Sequence, residues 1–208
     1  MSDSSTEKDD LLAESLRRVE ALMSRGTATP SGDAATLESL RETVLDQGAP
    51  SQSRRSALDE MSERLRGEPE YSALVLILID DPDLDLARDA IASAPPFDAK
   101  VIARLRDLLD DPRPVIWGAA ASALARKKDH AILPRMLAWA RRGDADHRHA
   151  GLAAVAFLLI PEQHLAVVES ICDEGPRNDD DEAVLIDALR VADARVTFWR
   201  NATGEAGV

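Results

Sequence analysis

"LILIDDPDLDLARDAIASA" (residues 76–94) lies in register with "RDLLDDPRPVIWGAAASAL" (residues 106–124), so that Asp80-Asp81-Pro82 precedes Asp110-Asp111-Pro112 by thirty residues. In each copy an apolar helix pattern ends, an Asp-Pro turn follows, and an Ala-rich helix pattern begins. Proline fixes the φ of an early turn or helix position, and aspartate accepts hydrogen bonds from the free N–H groups of the helix it precedes. A third copy is "HAILPRMLAWARRGDADHRHAGLAAVAFLL" (130–159) and a more degenerate fourth is "PEQHLAVVESICDEGPRNDDDEAVLIDALRVA" (161–192). Repetition at this period is the signature of stacked helical hairpins, none of which buries its apolar face alone.

Composition points the same way. Of 208 residues, 45% are hydrophobic but only 3% aromatic, and Ala and Leu dominate without the β-branched runs of strands. The fold class expected is all-α. Lysine occurs only at Lys8, Lys100, Lys127 and Lys128, and this arginine bias with abundant alanine suggests a GC-rich bacterial genome. Cys172 is the single cysteine, so neither an intramolecular disulfide nor a cysteine-based zinc site is expected, and a reducing cytoplasm fits. The opening "MSDSSTEKDDLLAES" lacks the basic-then-apolar order of a secretory signal, and the longest apolar run, Ala73 to Ile79, is too short to span a bilayer. A cytoplasmic protein without a membrane partner is expected.

Around the repeats the chain divides as follows. Residues 1–33 hold an amphipathic helix from Asp9 or Asp10, with Leu12, Leu16, Val19 and Met23 on one face, followed by a linker. Residues 34–69 read as two capping helices, 34–46 and 52–66, closed by Gly48-Pro50 and Gly67-Pro69. Residues 70–192 form the repeat domain, and 193–208 read as a C-terminal tail.

Residues 70–192 resemble HEAT-like helical repeats of the short bacterial type, related to bilin-lyase repeats. The resemblance rests on Asp111, Pro112, Ile116, Ala119, Ala120, Ala123, Leu124, Asp129, Leu133 and Pro134 in one copy and on Asp144, Asp146, Arg148, Ala150 and Val155 in the next. It implies a right-handed α-solenoid of about four hairpins with an N-terminal helical extension. Where the family pattern has arginine this chain has Ala87 and Trp117, which implies an interrupted Arg–Asp ladder between turns. A shared fold of this kind implies little about function.

The net charge is −13, from 25 basic and 38 acidic residues, which as a whole repels nucleic acid and anionic lipid. One basic island, 126–149, interrupts the acidity. Arg126, Lys127, Lys128, Arg135, Arg141, Arg142 and Arg148 are either solvated helix ends or a face for an acidic protein segment, with nucleic acid disfavoured by the flanking acids. Trp117, standing where the family has a polar residue, is a candidate anchor for such a face, whereas Trp139 shares a helix face with Ile132 and Met136 and reads as core. His147 and His149 beside Asp144 and Asp146 suggest a metal, but residues i and i+2 of a helix point about 200° apart, so a capped turn is the better reading. The acid run "RNDDDE" (177–182) lacks the spacing of a calcium loop. No nucleophile, phosphate loop or dinucleotide motif is present, and Cys172 lies among carboxylates that oppose thiolate formation. No cofactor is therefore expected, and no catalytic residue.

These observations favour a non-enzymatic protein–protein interaction module, a cytoplasmic adaptor, regulator or assembly factor, with the Ala-rich second helices lining its concave face. The alternative is a dedicated inhibitor or immunity-type protein that sequesters a basic toxin or enzyme. A lyase or nucleic-acid enzyme on the same scaffold ranks third, because it needs converging polar groups that the sequence does not display.

Overall fold

A computed structural model describes residues 32–65, 67–176 and 179–203, and the expected helix at 9–26 lies outside them. The described residues form ten α-helices and no strand: α1 Gly32–Leu45, α2 Ser51–Leu65, α3 Pro69–Leu78, α4 Leu84–Ser93, α5 Ala99–Asp107, α6 Pro114–Arg126, α7 Leu133–Arg142, α8 Ala145–Leu158, α9 Pro161–Asp173 and α10 Asp179–Thr203. Short 3₁₀ turns, Leu108–Asp110 and His130–Ile132, extend α5 and precede α7. The described residues are all-helical in their regular structure.

The local chemistry of the turns places the helix starts. Asp83 accepts from the backbone N–H groups of Asp85 and Leu86, Asp98 from Lys100 and Val101, and Asp144 from His147. Pro69, Pro114 and Pro161 each occupy the first residue of a helix, where a missing N–H costs nothing. The turn aspartates recur in role as well as in sequence: Asp81 accepts from the Asp83 N–H, and Asp111 accepts from the Arg113 N–H, both at 2.9 Å.

Packing is serial. Helices α2, α4, α6, α8 and α10 touch in sequence, while α1, α3, α5, α7 and α9 each pack on the helix that follows. Helix α6, in contact with both α4 and α8, buries Ile116, Ala120, Ala121, Ala123, Leu124 and Ala125. The alanines of this helix are thus used in helix contact, where small side chains let backbones approach. At Gly151 of α8 the approach is closest, since a Cβ there would lie 2.6 Å from the Ala140 nitrogen and 2.7 Å from the Met136 carbonyl oxygen. One apolar cluster runs from Val44 to Leu158, and a smaller one, including Leu152, Val168, Ile171, Leu185 and Ala192, joins α8, α9 and α10.

The fourth residue of the first four even helices is Arg54 in α2, Ala87 in α4, Trp117 in α6 and Arg148 in α8, and all four are buried. Arg54 donates from Nε to the Val44 carbonyl at 2.8 Å and from Nη1 to Asp81 Oδ1 at 3.1 Å. At the two interrupted positions another link is found: Arg104 donates to Asp80 at 2.6 Å and Arg135 to Asp110 at 3.1 Å. These two pairs tie an odd helix to the turn within the preceding hairpin, at nearly the same sequence spacing. Helix α10 continues to Thr203, through residues where the sequence suggests a tail, because Leu185, Ala192 and Val196 keep one apolar face buried along it.

Candidate interaction site between the last helices

The basic residues of the island differ in burial and bonding. Arg126 and Arg142 are exposed, at the ends of α6 and α7. Arg135 is bound to Asp110 and the Leu109 carbonyl and lies 5.3 Å from the Trp139 ring centroid, and its guanidinium holds the Asp110 carboxyl below the usual range. Arg141 lies 3.7 Å from Glu174. Lys127 is half-buried, and Lys128 donates from Nζ to the Phe157 carbonyl.

Two residues expected at the surface are inside. Arg148 is 1% exposed and Trp117 is 6% exposed, because the fourth position of α6 and of α8 faces neighbouring helices rather than solvent. Trp117 stacks on His147 with centroids 4.2 Å apart and meets Trp139 edge-on at 5.1 Å. His147 Nδ1 lies 2.8 Å from Asp144 Oδ1, and bonding to His147, its backbone N–H first, keeps the Asp144 carboxyl low. His149 instead lines a cavity with His164, so the two neighbouring histidines serve separate surroundings. No group of three or more His, Cys, Asp or Glu among the described residues is placed to hold a metal. Burial pushes the Cys172 thiol up.

A concave site lies elsewhere, where α8, α9 and α10 diverge. A cavity of about 360 Å³ is walled by Leu152, Phe157, Val184, Ala188 and Val191 and carries Lys128, His164, Asp187 and Arg195. It shares Lys128, Val191 and Arg195 with an outer trough of about 570 Å³ that reaches Ile160, Phe198 and Trp199. Phe198 is 74% and Ile160 57% exposed, a contiguous apolar rim of the kind that marks an interaction surface.

The polar groups of the cavity are held in place. His164 is 1% exposed, and burial, aided by the charge of Arg195, pushes its pKa down to about 4. Arg195 Nη1 lies 3.0 Å from His164 Nδ1, and Nη2 donates to the Leu159 carbonyl at 3.4 Å. A guanidinium has no acceptor, so Nδ1 accepts and the ring proton sits on Nε2. Lys128 adopts φ 59° at the end of α6, a left-handed conformation that a lysine tolerates at some cost. Its backbone N–H bonds the Ala125 carbonyl and the Asp129 N–H bonds Leu124, which closes the helix and directs the side chain across to α8.

The sequence reading singled out neither His164 nor Arg195. The available signal is the spacing of Leu185, Leu189, Ala192, Val196 and Trp199, which carries the helix past 192 and places Arg195 one turn from Val191. No helix among the described residues is long and apolar enough to cross a membrane. In comparison with known proteins, no family model, curated protein or solved structure matches the chain.

Proposed function

We propose that the protein is a non-enzymatic protein-interaction module, a cytoplasmic adaptor or assembly factor, built as a right-handed HEAT-like solenoid. The serial contact of α2, α4, α6, α8 and α10, the fourth-position set Arg54, Ala87, Trp117 and Arg148, and the matched Arg104–Asp80 and Arg135–Asp110 pairs support the repeat reading. They also bring α1 and α2 into the array as its first hairpin.

The observation that carries the function is the apolar trough at the far end of the array. Ile160, Val191, Phe198 and Trp199 are all exposed on adjoining elements, and aromatic side chains left in water beside a concavity supply most of the energy of a docked interface. The partner sits on this trough, with the separate cations Arg126 and Arg142 outside the contact.

The test is recovery of partners by the tagged full-length chain from native lysate, with stoichiometry measured by mass spectrometry. One protein is retained near one-to-one, is lost with Phe198→Asp, and stays with Arg142→Glu. Retention that is indifferent to Phe198→Asp removes the trough from the function.

A further inference from the structure

We propose that the inner cavity between α8, α9 and α10 is a binding site for a monocarboxylate carried on an apolar body, with Arg195 as its anion anchor. The cavity adjoins the outer trough and shares Lys128, Val191 and Arg195 with it, but the proposal does not rest on protein docking there.

The first ground is charge. Arg54, Arg104, Arg106, Arg113 and Arg135 each have a carboxylate within ion-pair distance, whereas Arg195 bonds a neutral imidazole and a backbone carbonyl. In a chain of net charge −13, a part-buried guanidinium with no carboxylate of the described residues within ion-pair distance is conspicuous. Its remaining N–H groups suit a carboxylate, whose two oxygens match the guanidinium fork.

The second ground is preorganisation. His164 and the Leu159 carbonyl fix the guanidinium before any ligand arrives, which lowers the ordering cost of binding. The third is shape and sign. The volume of about 360 Å³ lies at the small end of the roughly 300–1,000 Å³ range of ligand sites, and its walls are aliphatic and aromatic. Counting histidine as neutral, Lys128 and Arg195 against Asp187 leave one net positive charge, which suits a monoanion and disfavours a phosphate dianion.

The experiment is isothermal titration of the full-length protein with sodium decanoate below its micelle-forming concentration, beside decan-1-ol and decyl phosphate. Decanoate binds at one saturable site, and decan-1-ol binds about tenfold or more weakly, since a hydrogen bond to a charged group is at stake. Decyl phosphate is also weaker than decanoate. Arg195→Gln brings decanoate down to the level of the alcohol. Ala188→Phe fills the cavity without replacing Arg195 and abolishes binding, and Lys128→Gln, which removes one cation from the cavity and leaves Arg195 in place, weakens it. Equal binding of acid and alcohol, tighter binding of the phosphate, full affinity in Arg195→Gln, or no saturable site for decanoate each overturns the proposal.

Discussion

Arg195 Nη1 sits 3.0 Å from Nδ1 of His164, so a permanent cation is bonded to an imidazole that must stay neutral to accept. Burial, then the Arg195 charge, depresses the folded pKa of His164 to about 4 from its ordinary value of 6.5. Between those values the unfolded chain binds the proton and the folded chain does not. Stability contributed by neutral His164 is therefore present above about 6.5 and is lost as pH falls toward about 4. Its size is about 3 kcal/mol at most. Urea denaturation at pH 7 and at pH 4.5 checks this: wild type loses stability over the interval, and His164→Gln loses less of it. Equal slopes would mean that His164 titrates normally in the folded protein. The carboxylates with lowered pKa values, such as Asp98 and Asp129, act mainly below this window and affect both proteins alike.

Arg54 and Asp81 are 4% and 7% exposed and bonded through two oxygens. Removing one partner strands the other charge in the interior, which costs about 3–5 kcal/mol. Asp81→Leu and Arg54→Leu should each show that loss in urea denaturation, whereas the double substitution should recover a large part of it. Additive losses would show that the two side chains act independently.

Lys128 holds φ 59°, and glycine adopts that conformation without the Cβ penalty. Lys128→Gly is expected to be more stable than Lys128→Ala by about 1 kcal/mol, because both lose the ammonium and only glycine relieves the backbone. Thermal melts of the two variants decide it; equal melting temperatures would show that the left-handed residue carries no strain.

The helices were legible because their signals are local. Asp83, Asp98 and Asp144 cap the helices they precede, and the Asp80 and Asp110 turns recur as the aligned stretches require. Burial of charge was not legible, because Arg148 and Arg142 look alike in a basic run until the helix phase is fixed. Arg148 takes the fourth position of α8 and goes inside, while Arg142 ends α7 and stays out. Trp117 misled for the same reason, since an aromatic replacing a polar residue reads as exposed until His147 and Trp139 are seen against it. The cavity escaped notice because it is made by three helices and the end of α6, whose contributing residues, from Lys128 to Arg195, lie far apart in the chain and share no motif.

Two helical glycines separate packing from propensity. Gly118, in α6, has open space where a Cβ would stand, whereas at Gly151, in α8, the added carbon would meet backbone atoms of α7 at 2.6 and 2.7 Å. Backbone cannot swing aside as a side-chain tip does, so α7 and α8 must separate. Gly151→Ala should destabilise by about 1–3 kcal/mol, even though alanine is the better helix former. Gly118→Ala, with the same change in propensity and no clash, should stabilise by about 0.5–1 kcal/mol. Denaturation of both variants gives opposite signs if α7 and α8 are packed through Gly151. Stabilisation by both would mean that the two helices are not held at that distance in solution, and the close packing that seats α8 beside the cavity would have to be redrawn.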